Sequence, residues 1–182
     1  MKVGIALLAL VLLIAALVVL RAKVKAPSTS ADDIQVGMKD AAAEAVGVAK
    51  AKHGVTLDYS PRSVEAVEAI LAKLHEEHRE APFSLAREKE EGWRWGAYVG
   101  EVILRLTPGH WEMDHVAAGK GSFPVRVARG DSFPIGWCRK RIVNGPEDNV
   151  WHKFQILYLR EGADSLKAQA SGAAHDPDAR EP

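Results

Sequence analysis

Residues 92–106 read "GWRWGAYVGEVILRL", a run of apolar, small and aromatic side chains carrying a single acid, Glu101. On a helical wheel of about 100° per residue, Val99, Val102 and Leu106 fall within about 40° of Trp95. Gly96, Gly100, Ile103 and Leu104 form a second apolar flank, where the two glycines permit close approach of another element. The remaining sector holds Arg94, Glu101 and Arg105. That pattern predicts the central helix of a domain. Glu101 precedes Arg105 by four residues and follows Arg94 by seven, so the leading reading is an ion pair on a structural helix. A carboxylate serving a pocket is the alternative. A flanking guanidinium keeps a carboxylate ionised, which suits a base or an acceptor better than a general acid.

Upstream, "YSPRSVEAVEAILAKLHEEHRE" (59–80) opens with Ser60 at the cap and Pro61 at the first helical position. Val64, Val67, Leu71 and Leu74 make its buried face, and Glu65, Glu68, Lys73 and Glu76 its solvated side. The "HEEH" at His75–His78 lacks the four-residue spacing of a helical zinc pair, so these are boundary histidines and no metal site is expected. "APFSLAREKEE" (81–91) reads as a charged connector. Downstream, "TPGHW" (107–111) ends the central helix with Pro and Gly. "HWEMDHVA" (110–117), "SFPVRVAR" (122–129) and "SFPIGWCRKRIV" (132–143) alternate loosely and are expected to be three antiparallel strands. "AAGKGS" (117–122) and "GD" (130–131) would be the turns. "NGPED" (144–148) starts a closing helix through Val150, Phe154 and Leu157, with a strand over 150–159 as the alternative.

The expected fold is α+β: two N-terminal helices, a short three-stranded antiparallel meander and a closing helix on one sheet face. All five tryptophans lie inside residues 57–160, enough aromatic volume for one core.

Outside that domain the chain changes character. Val3–Leu20 is eighteen residues without a charge, about 27 Å as a helix against a hydrocarbon core of roughly 30 Å. A cleaved signal peptide competes with this reading. The run exceeds the usual apolar core of a signal, however, and "RAKVKAP" offers no clean A-x-A site. Residues 1–22 are therefore expected to be an uncleaved transmembrane anchor, single-pass. Arg21, Lys23 and Lys25 behind it outnumber Lys2 in front, which places the folded domain in the cytoplasm. Residues 23–56 read as a linker, partly helical at most. Ile34, Met38, Ala41, Ala45 and Val48 make a heptad-like stripe, but Gly37, Gly47 and the alanines favour a weak spacer over a self-associating helix. The tail, 161–182, is small and polar and reads as disordered.

Composition excludes several functions. Residues 1–25 hold four bases and no acid, which leaves 20 bases against 24 acids in the remainder, a poor match for a nucleic-acid partner. Cys138 is the only cysteine, so an intrachain disulfide and a cysteine-based zinc site are excluded. Arg139 and Lys140 beside it would lower its pKa, though no histidine is near in sequence and an ordinary strand cysteine is preferred. Asp114 and His115 would point to opposite faces of a strand. "GKGS" lacks the upstream glycine of a phosphate-binding loop. No cofactor is implied.

The residues Tyr98, Gly100, Glu101, Val102, Arg105, Gly109 and Trp111, with "KRIVNG" at 140–145, form a pattern that resembles small uncharacterised bacterial α+β domains. In these a Y-x-G-E-V helix leads through a Gly/Trp turn into a strand. Here Pro108 and His110 depart from that turn. The resemblance spans about 57–160 and implies a fold, with no activity attached. The functional expectation is a membrane-anchored, non-catalytic domain that binds a protein or peptide partner, with Glu101, Arg105, His110 and Trp111 as candidate binding residues. The alternative is a small hydrolase-like enzyme using Glu101 with His110.

Overall fold

The computed structural model describes residues 31–160. The proposed anchor at 3–20 and the tail at 161–182 lie outside the described residues. Among the described residues no helix is long and apolar enough to cross a membrane.

The fold is α+β. Three helices, α1 (Ala31–His53), α2 (Ser63–Glu80) and α3 (Leu85–Leu106), precede a sheet of β1 (Gly109–Trp111), β2 (Val125–Val127) and β3 (Gly130–Ser132). Helix α4 (Pro134–Asn144), a 3₁₀ turn (Pro146–Asp148) and α5 (Val150–Phe154) follow, with α5 running on as a π-helical turn, Gln155–Arg160. The sheet is an antiparallel meander in the order β1-β2-β3.

Helix α3 is the hub: α1 and α4 both pack along it. Its core face carries Trp95, Val99, Val102 and Ile103, all fully buried. Glycines at every fourth position set how closely its neighbours approach. A Cβ at Gly92 would stand 2.9 Å from Arg139 Cβ, and one at Gly96 would strike the backbone of Ile135, both on α4. At Gly100 a Cβ would strike the Trp111 indole. The helix begins earlier than its apolar pattern suggests. Ser84 accepts from Arg87 N–H as the cap, so most of the "charged connector" is the first turns of α3.

Further expectations need correction. Residues 31–53 are not a spacer. Ile34, Met38, Ala41, Ala42, Ala45 and Ala49 are buried against the body, while Gly37 and Gly47 face open space. Tertiary packing of a small-residue face supplies what propensity lacks. The third strand is not 132–143: β3 is Gly130–Ser132, and the "GD" expected to turn lies within it. Pro134 instead begins a helix whose buried residues, Pro134, Cys138, Arg141 and Ile142, recur at three to four. Finally, the closing helix packs chiefly on α2 rather than on a sheet face, although the Tyr158 hydroxyl reaches Ser132 Oγ at 2.6 Å.

Glu68, expected on the solvated side of α2, is buried. Its Oε1 accepts from Arg141 Nε at 2.6 Å and its Oε2 from Val150 N–H at 2.8 Å. One carboxylate thus ties α2 to α4 and to the start of α5.

Candidate functional site

A cleft of about 490 Å³ opens between α1, α3 and β1, lined by Gln35, Lys39, Tyr59, Glu101, Leu104, Arg105 and Gly109. Gln35 and Lys39, four apart, come from one face of α1. Tyr59 comes from the α1–α2 connection, and Glu101, Leu104 and Arg105 from the last turns of α3. Gly109 is the first residue of β1.

Glu101 lies at the floor and is 7% exposed. Its Oε1 accepts from the Trp111 indole N–H at 3.0 Å. The glycine at 100 is what admits that ring. The expected ion pair forms with neither Arg94 nor Arg105. Arg94 turns to Glu44 on α1 (3.0 Å) and to Glu90 (2.6 Å) and Glu91 (2.8 Å) on its own helix. Burial works against its charge, but the bonds it donates to Glu90 and Glu44 outweigh that and hold the guanidinium above its ordinary range. Arg105 lies over the Tyr59 ring, its central carbon 3.5 Å from the centroid, at the cleft wall.

Tyr59 is held in the left-handed region, φ 60°. Its backbone N–H donates to the Tyr98 hydroxyl at 2.8 Å, and its ring stacks on Tyr98 at 4.8 Å. Burial raises the pKa of both phenols, so both are neutral donors at physiological pH. The cleft wall at Arg105 and Tyr59 is therefore backed by the buried Tyr98.

Of the four candidate residues, the structure unites Glu101, Arg105 and Trp111 around this cleft. It does not bring His110 to them. Trp111 is buried and His110 exposed, because neighbours on a strand face opposite ways. The Glu101–His110 pair required for hydrolysis is absent from the site. Gln35, Lys39 and Tyr59 were not foreseen. Their only sequence signal is the four-residue spacing of the first two within a stretch otherwise read as a spacer.

The other titratable clusters are structural. His75 Nδ1 lies 2.8 Å from Ile142 O, and His78 Nδ1 accepts from Phe83 N–H at 3.1 Å. His115 and Asp131, unconnected in sequence, meet at 2.8 Å, and Asp131 also accepts from Arg126 Nε at 2.9 Å. This resembles the orienting half of a catalytic triad. However, His115 Nδ1 accepts from Ala117 N–H at 3.2 Å, so Nε2 carries the proton towards Asp131 and no ring nitrogen is left to act as base. Cys138 is fully buried on α4, and burial pushes its thiol well above the ordinary range, contrary to the activation that Arg139 and Lys140 suggested. Among the described residues no three His, Cys, Asp or Glu side chains are placed to hold a metal ion.

The chain matches no protein-family model, no curated protein and no solved structure.

Proposed function

We propose that this chain is a membrane-tethered, non-catalytic domain whose cleft between α1, α3 and β1 binds a protein or peptide partner. One observation carries the reading. The cleft presents fixed recognition groups, yet its only buried carboxylate is hydrogen-bonded to an indole N–H and has no histidine at hand. Such a site can hold a ligand's charge and shape, and its described residues include no nucleophile hydrogen-bonded to a base. The tether rests on the uncharged run at 3–20.

The test is site-specific photocrosslinking in the full chain, embedded in its membrane, with the probe at Leu104 in the cleft or at exposed Glu65 on α2. Polypeptide adducts are expected from position 104, absent from position 65, and removed by Arg105→Glu. Equal adducts from both positions, or none from 104, would refute the reading.

A further inference from the structure

The cleft is bounded by a sheet edge, because β1 pairs with β2 on one side only. Antiparallel pairing alternates, so that every second residue directs both its N–H and its C=O away from the partner strand. Trp111 is one of these. Its N–H donates to Gln35 Oε1 at 3.0 Å, and its C=O accepts from Gln35 Nε2 at 2.7 Å. A side-chain carboxamide thus supplies the donor–acceptor pair that a neighbouring strand would supply. Gly109 lies two residues earlier, and the same alternation turns its N–H and C=O to the same edge. It is exposed, lines the cleft, and is covered by no side chain of its own. A Cβ there would strike Arg126 O on β2, so glycine at this position is what lets β1 lie this close to β2.

We infer that the cleft receives the C-terminal end of an extended polypeptide, which adds to the edge of β1 at Gly109, displaces the Gln35 carboxamide from Trp111 and sets its terminal carboxylate beside Arg105 and Lys39. This deepens the reading above and rests on it. Charge complementarity selects the occupant. Lys39 and Arg105 are exposed at the rim, and neither is engaged by a carboxylate of the described residues. The Glu101 carboxylate is drawn back to the floor by Trp111. An incoming carboxylate therefore meets two cations, and a backbone amide of the same ligand meets the edge. Gln35 acts as a cap that keeps the edge from pairing with itself or with other chains when no ligand is present.

The probe is a library of synthetic pentapeptides with free C-terminal carboxylates, offered to the full chain in detergent micelles alongside the same library ending in carboxamides. The free-acid library is expected to be retained about tenfold better, the scale of one charge-assisted hydrogen bond. Arg105→Glu should abolish that preference, and Lys39→Glu, at an exposed position, should reduce it without touching the fold. Gln35→Ala should strengthen retention several-fold by removing the competing cap. Hydrogen exchange at the Gly109 amide should slow when a retained peptide is bound. Equal retention of both libraries overturns capture of a terminal carboxylate, and an unchanged Gly109 exchange rate overturns strand addition; either leaves a binding cleft in place. Retention of neither library by the chain, together with no adducts at position 104, overturns both.

Discussion

Removing the Glu68 carboxylate tests the most deeply buried ion pair among the described residues. Glu68 and Arg141 are 9% and 5% exposed, and their bond of 2.6 Å is made where water cannot replace it. Arg141 Nη1 is itself buried without a hydrogen-bond partner, so losing Glu68 would leave a guanidinium with no counter-charge. Val150 N–H, at the start of α5, would lose its acceptor as well. Breaking one side of a buried pair costs about 3–5 kcal/mol. Over the 130 residues from 31 to 160, an unfolding entropy of about 2.1 cal/mol/K per residue gives about 0.27 kcal/mol/K. Glu68→Ala should therefore lower Tm by about 11–18 °C. The assay is calorimetry of wild type, Glu68→Ala, Arg141→Met and the double variant Glu68→Met/Arg141→Met. Replacing both charges by apolar side chains of similar length should recover most of the loss, because the pair's desolvation cost vanishes with it. One molar salt should leave the wild-type pair undisturbed, since buried charges are poorly screened. A Tm change under 4 °C for Glu68→Ala, or a double variant no better than the single ones, would refute the account.

Gly100→Ala should destabilise by about 1–3 kcal/mol, read by urea unfolding, because its methyl must displace the Trp111 ring from Glu101. Stability should also fall with acid. Hydrogen bonding lowers Asp58 (from Ser60), Asp131 (from Arg126) and Asp148 (from Lys153), and a lowered carboxylate contributes stability above its unfolded pKa of about 4 that is lost as pH falls through the folded value. His53, lowered by burial, acts in the same sense as pH falls below its unfolded value of about 6.5, so a urea midpoint that rises on acidification would contradict these assignments. Cys138 should react with a thiol reagent only as fast as the domain opens; immediate labelling of native protein would mean that α4 does not pack as described.

Most of α3 was legible because its apolar spacing is long, regular and confirmed on two faces. The misreadings share one cause: local pattern is silent about what a side chain meets across space. In "SFPIGWCRKRIV" the apparent alternation of Ile135 and Trp137 masked a helical spacing from Pro134 through Cys138 to Arg141 and Ile142, and nothing local marks the arginine in it as buried. In α1 the alanines looked too small to hold a core, yet their size is what lets α1 lie close on α3. Glu101 shared a wheel sector with Arg94 and Arg105, but its partner, Trp111, arrives from a strand beyond the turn. Gln35 carried only its four-residue spacing from Lys39, since a carboxamide capping a strand edge has no sequence pattern of its own.

The glycines of α3 have a consequence for how this chain can change length. Gly92 and Gly96 admit α4, and Gly100 admits Trp111 from the sheet, all on one stripe with a four-residue period. The helix thereby serves as a ruler, fixing the offset between its two neighbours by its own rise of about 6 Å per four residues. One residue added between Gly96 and Gly100 would swing everything beyond it by about 100°, taking Gly100 away from the indole and Glu101 away from the cleft floor. The loop from Glu112 to Pro124, closed at its base by Glu112 N–H on Pro124 O at 2.9 Å, carries no such phase. Insertions belong there, and the helix can be lengthened only at its ends.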